Sequence, residues 1–132
     1  MKKWLLSVVI LLLSLYLIAC TGGDKNNGST VTTSKNPSPE EILKQDPHAD
    51  IFLLKGTVYQ TNIEWVDKLK LTKKTQISEI TAISSNDLKN FQNGMANKLP
   101  KGTKIYSVNE REDVLITEIN GKTQKYLALS EG

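Results

Sequence analysis

Apolar and polar positions divide the chain into three zones. From Trp4 to Ala19 the residues are apolar except Ser7 and Ser14, and none is charged. From Thr21 to about Pro47 the chain is rich in Gly, Ser, Thr, Asn and Pro, with little to bury. From Asp50 onward apolar residues recur with the two-residue period of β-strands. Asp50–Gln60 predicts the first strand. Phe52, Leu54 and Val58 fall on one face and Ile51, Leu53 and Tyr59 on the other, a pattern that suits a central or enclosed strand. Gly56 interrupts it and predicts a bulge or a close approach.

Ile63–Leu71 fits two templates. Ile63, Trp65, Leu69 and Leu71 alternate as in a strand. Trp65 and Leu69 are also four apart behind Asn62, a fair N-cap, and a helical turn over Ile63–Leu69 is the preferred reading. Thr72-Lys73-Lys74-Thr75 predicts a turn and Gln76–Ile83 a second strand. Ser85 or Asn86 caps a short helix through Phe91 that Asn93-Gly94 ends, with Leu88 and Phe91 facing the core. Leu99-Pro100-Lys101-Gly102 suits a tight turn.

Thr103–Val108, Asp113–Ile119 and Lys122–Leu129 predict three further strands. Asn120-Gly121 joins the last two, because both residues accept the positive φ of a type I′ hairpin turn. That turn sets Ile119 opposite Lys122, Ile116 opposite Lys125, Leu115 opposite Tyr126 and Val114 opposite Leu127. Apolar pairs gather at the hairpin base on both faces, and polar residues at its tip. The expected fold is therefore mainly β, bordering on α+β: a small five-stranded barrel-like or curled antiparallel sheet with one or two short helices.

The amino-terminal zone has the parts of a signal peptide: Lys2 and Lys3, an apolar run, and small Ala19. The run of about 16 residues is short for a spanning helix, which needs about 20. Leu17-Ile18-Ala19-Cys20 resembles the lipobox of bacterial lipoprotein signal peptides. The resemblance implies cleavage before Cys20 and a thioether-linked diacylglyceryl group on its sulfur, with palmitate-type acyl chains. Two chains anchor stably where one does so marginally. An uncleaved anchor and plain secretion are the alternatives. The expected divisions are 1–19 signal peptide, 20–47 disordered membrane tether and 48–132 small β-rich domain. Within the tether, Ser38 and Pro39 open at most a short, weakly held helix.

A second resemblance rests on Val58-Tyr59, Glu64-Trp65-Val66 with Leu69, Gly94-Met95-Ala96, Lys98-Leu99-Pro100, Gly102-Thr103-Lys104-Ile105-Tyr106 and Tyr126-Leu127-Ala128. In these the domain is similar to a family of small, uncharacterised lipoproteins of Gram-positive, spore-forming bacteria. The resemblance spans about Asp50 to Gly132 and is most specific from Lys98 to Tyr106. It implies a membrane address, and no activity or catalytic residue.

Composition narrows the function. Lys2 and Lys3 supply two of the 17 basic residues, so the chain downstream is nearly neutral against 14 acidic ones. That balance argues against a nucleic-acid partner. Cys20 is the one cysteine, so the domain holds neither a disulfide nor a thiol metal site. His48, the one histidine, lies beside Pro47 at the edge of the tether and reads as a surface residue. Neither a phosphate-binding loop nor a metal-ligand spacing is present, and no cofactor is implied. Asn109–Asp113 packs three carboxylates and an arginine but lacks the spacing of a calcium loop, and reads as a solvated hairpin loop.

Tyr59, Trp65, Tyr106 and Tyr126 are candidate recognition aromatics, although strand aromatics more often serve the core. Trp65, with Lys68, Lys70, Lys73 and Lys74 beside it, forms the candidate interaction surface, suited to anionic headgroups or wall polymers. The expectation is a lipid-anchored, extracytoplasmic, non-enzymatic interaction module on the cell membrane, with an unidentified envelope protein or polymer as partner. The alternative is an envelope binding protein for a small ligand or anionic polymer.

Overall fold

The turn at Asn120-Gly121 sets the register of the largest hairpin. Both residues have positive φ, 50° and 75°, which matches a type I′ turn. It joins β7 (Val114–Ile119) to β8 (Lys122–Leu129), and all four expected pairings are present, from Ile119 with Lys122 to Val114 with Leu127. The structure is a computed structural model that describes residues 35–84 and 87–130. The Trp4–Ala19 run, Cys20 and the tether up to residue 34 lie outside the described residues, as do the expected caps Ser85 and Asn86.

In chain order the elements are α1 (Pro39–Gln45), β1 (Ile51–Leu54), β2 (Thr57–Gln60), α2 (Glu64–Asp67), β3 (Lys73–Glu79) and β4 (Ala82–Ile83). A 3₁₀ turn over Leu88–Asn90 leads to β5 (Met95–Ala96), and β6 (Lys104–Val108) precedes the β7–β8 hairpin. The strands form one sheet in the order β3-β6-β7-β8-β2-β1-β5-β4. The fold is mainly β, a curled half-barrel with two short helices. The sheet has eight strands where five were expected, and the β4–β5 pair is parallel.

The extra strands have identifiable causes. Asp50–Gln60 is a hairpin and not one strand, because Lys55 and Gly56 take φ of 49° and 77° and turn the chain back. The reversal pairs Phe52 with Tyr59 and Leu53 with Val58, so the expected faces change. Val58 joins Ile51 and Leu53 in one cluster, while Tyr59 joins Phe52 and Leu54 in another. Lys73–Thr75, expected as a turn, belongs to β3, which bulges twice against β6. Beyond β3 the chain changes partner. Ile80 exchanges backbone bonds with Thr103 and Gly102, and Thr81 N–H donates to the Gly94 carbonyl at 2.9 Å.

That change of partner shapes the barrel. One stretch, Lys73–Ile83, borders β6 at its start and β5 at its end, and so draws the two sides of the sheet together. Inside the curl lie Phe52, Leu54, Ile80, Ala96, Leu99, Ile105, Leu115 and Tyr126. The outer face is covered in two places. Val66 of α2 packs on Val108, Val114 and Ile116, and Leu43 of α1 packs with Ile51, Val58 and Phe91.

The α1 helix corrects the expected tether boundary at residue 47. It carries a full capping box: Ser38 accepts from the Glu41 backbone, and Glu41 accepts from the Ser38 N–H at 2.6 Å. Leu43 is buried in the outer-face cluster, which ties the helix to the domain. The Ile63–Leu69 segment is helical over Glu64–Asp67, but Asn62 does not cap it. Ile63 occupies the cap position without a side-chain bond, and Asn62 takes φ of 61°. The expected helix near Phe91 is a single 3₁₀ turn, with Asp87 accepting from the Lys89 N–H.

Candidate functional site

Away from the Ile80–Thr81 crossing, β3 pairs only with β6 among the described residues, which leaves that end of the barrel open there. There β3 and the β1–β2 hairpin border a cavity of about 300 Å³. Leu54, Tyr59, Ile77 and Leu115 supply apolar wall, while Lys55, Lys74, Arg111 and Glu112 line it with charge. Lys55 is set there by the hairpin turn itself. Tyr59 stacks on Phe52, with ring centres 5.1 Å apart and planes 12° from parallel. Half-burial, with Asp113 nearby, raises its phenol above the ordinary value, so it stays a neutral hydrogen-bond group at physiological pH.

The Asn109–Asp113 loop frames the cavity through bonds of its own. Glu110 accepts the Thr72 N–H at 2.8 Å and 3.0 Å, and this holds its carboxyl below the ordinary range. Arg111 forks onto Asp113, Nε to Oδ1 at 2.8 Å and Nη2 to Oδ2 at 2.6 Å, which likewise lowers the Asp113 carboxyl. The same guanidinium lies 5.2 Å from the Trp65 ring centre, within cation–π range. The loop is therefore tied to Thr72 and to Trp65, and braced internally by the Arg111–Asp113 pair. Glu110 serves the backbone, Asp113 serves Arg111 and Glu112 lines the cavity, and no group of metal-binding side chains occurs among the described residues.

The expected Trp65–lysine surface is divided by the fold. Trp65 is 48% exposed on α2. Lys68 turns back to Glu64 at 2.7 Å on the same helix. Lys73 bonds Glu118 at 2.5 Å and lies 4.4 Å over the Tyr106 ring. Lys74, its neighbour, lines the cavity instead, since successive strand residues point to opposite faces. Lys70 lies in the link between α2 and β3. Two of the four lysines are thus paired with carboxylates, Lys68 with Glu64 and Lys73 with Glu118.

Of the other aromatics, Tyr126 is fully buried, Tyr106 lies half-buried under Lys73, and Tyr59 alone reaches the cavity. His48 is exposed, and its carbonyl accepts from Lys98 Nζ at 2.7 Å. The sequence marks no site role for Lys55, Ile77 or Lys125, and Arg111 only as part of the Asn109–Asp113 loop. Lys125 donates to the Asp67 and Leu69 carbonyls at 2.8 Å and 2.5 Å, capping the end of α2. The Lys55-Gly56 pair was the one legible signal, as a two-residue turn between apolar runs.

No protein-family model, curated protein or solved structure matches the chain. No helix among the described residues is long and apolar enough to cross a membrane.

Proposed function

We propose that the protein is a lipid-anchored, non-enzymatic interaction module on the extracytoplasmic face of the cell membrane, and that it recognises its partner through the open end of the half-barrel. The lipobox-like Leu17–Cys20 stretch supports the anchor. The cavity of about 300 Å³ beside Tyr59, Lys55 and Lys74 carries the recognition half of the reading. It combines an apolar floor with a few placed polar groups, the usual make-up of a binding site.

Two measurements test the halves separately. Mass spectrometry of membrane-extracted protein should find Cys20 as the amino-terminal residue with diacylglyceryl mass, and Cys20→Ser should abolish that mass. An intact leader on unmodified Cys20 refutes the lipid anchor. Membranes carrying wild-type, Lys74→Glu or Ile77→Asp protein are then cross-linked. The partner should be lost in both variants, and equal capture by all three refutes recognition at the open end.

The lining lysines favour one second reading, a small anionic ligand in the same cavity. A ligand bound by the folded state raises the melting temperature. A shift with polyphosphate or an anionic glycan that disappears in Lys74→Glu would support it.

A further inference from the structure

The segment that leads from Cys20 enters the domain beside the cavity. Asn36 Nδ2 donates to Thr57 Oγ1 at 3.4 Å, and Thr57 is one of the lining residues. The chain from Cys20 to Asn36 reaches at most about 55 Å even when fully extended. Two of the three large apolar side chains exposed among the described residues stand at the same place. Ile77 is 42% exposed and lines the cavity, and Trp65, 48% exposed, lies against Arg111, another lining residue. The third, Ile83, belongs to β4, beyond the Ile80–Thr81 crossing. Lys55 and Lys74 line the cavity too, and neither forms an ion pair among the described residues. Arg111 is taken up by Asp113, so the two lysines face a single lining carboxylate, Glu112.

We propose that the mouth of this cavity docks onto the anchoring membrane itself, with the phosphate of an anionic phospholipid on Lys55 and Lys74 and with Ile77 and Trp65 set into the headgroup layer. The proposal rests on the lipid anchor and on the open end being the recognition surface, and it names the partner's chemistry. Aromatic and aliphatic side chains partition into the membrane–water interface, and lysines are drawn to anionic lipid at short range. The anchor makes this second contact intramolecular, so contacts that are weak one by one become populated. One occupant then accounts for the exposed apolar pair, the lysines and the point where the anchored segment enters. A soluble polyanion would use the lysines and leave Ile77 and Trp65 in water.

The test reconstitutes the full membrane-extracted protein into nanodiscs of phosphatidylcholine alone or of an equal mixture with phosphatidylglycerol. The reaction of each lysine with an amine-acylating reagent is followed by mass spectrometry. Lys55 and Lys74 should react about tenfold more slowly in the anionic discs, with Lys101 unchanged. Lys101 lies in the turn beside Ile80, where Gly102 N–H donates to the Ile80 carbonyl. Lys74→Glu and Ile77→Ser should each return Lys55 to its rate in phosphatidylcholine. Lys101→Glu, the same charge change at the other end, should leave Lys55 protected. Equal rates in both discs, equal protection of Lys101, or indifference to Lys74→Glu or Ile77→Ser overturns the proposal. Protection by soluble polyphosphate over phosphatidylcholine discs, as strong as that by phosphatidylglycerol, overturns it in favour of a free polyanion. If phosphatidylglycerol gives no protection while cross-linked capture still depends on Lys74 and Ile77, membrane docking falls and open-end recognition stands. If capture is indifferent to both residues, the underlying reading falls as well.

Discussion

The Tyr126 hydroxyl donates to Asp50 Oδ1 at 2.8 Å, joining the last strand to the residue before the first across 76 positions of sequence. Between β8 and β1 lies β2, so the bond spans the interior of the curl. Phe52 packs against the Tyr126 ring at 4.9 Å, which places the phenol in apolar surroundings with Asp50 as its acceptor.

Tyr126→Phe keeps the ring and deletes the donor, leaving a buried carboxylate without its phenol. Bonds to charged groups contribute about 1.5–3 kcal/mol. Urea unfolding should show a lower midpoint by that amount with an unchanged slope. A loss within error of zero would mean that water replaces the phenol.

The same phenol predicts an alkaline transition. Burial, then the Asp50 charge and hydrogen bond, raise Tyr126 far above its ordinary value of 10.0. A group whose folded pKa is raised contributes stability that is fully present below the unfolded value and lost as pH rises toward the folded one. Thermal stability should therefore hold steady up to about pH 10 and fall above it. The fall should be markedly shallower in Tyr126→Phe, with the remainder assigned to half-buried Tyr59. A wild-type and variant profile of equal slope would remove Tyr126 as its cause.

Gly94 and Gly102 separate backbone strain from steric clash. Their φ values are nearly equal, +87° and +88°. A Cβ at Gly94 would meet Thr81 Oγ1 at 2.7 Å, whereas one at Gly102 would meet nothing within 4 Å. Both alanine variants should lose about 1–2 kcal/mol for the left-handed conformation. Gly94→Ala should lose about 1–3 kcal/mol more, because Thr81 is held by its bonds to the Gly94 carbonyl. Equal losses in denaturant melts would show that Thr81 moves aside.

Lys125 should govern the order of α2. Lys125→Met retains the aliphatic stem and removes the donors to the Asp67 and Leu69 carbonyls. Amide exchange at Lys68 and Leu69, which bond back to Glu64 and Val66, should accelerate by about tenfold while β7 amides are unchanged. A uniform acceleration across the domain would instead mean a global loss of stability.

The sequence by itself carried the β class, the β7–β8 register and the helical turn near Trp65. These signals are local: an Asn-Gly pair fixes its own dihedral angles, and a strand's period fixes which residues share a face. Lys55-Gly56 carries a related signal, hidden because apolar residues on both sides made one continuous strand look plausible. The packing of α1 was not legible either, since Leu43 has value only once Ile51, Val58 and Phe91 are brought to it. The site was the least legible part. Lysines adjacent in sequence went to different tasks, with Lys73 on Glu118 and Lys74 in the cavity. Tertiary structure decided this because the bulges in β3 and the exchange of its partner at Ile80–Thr81 set which strands meet. Those distances depend on the curl of the whole sheet, whereas a local pattern constrains only the few residues within its own period.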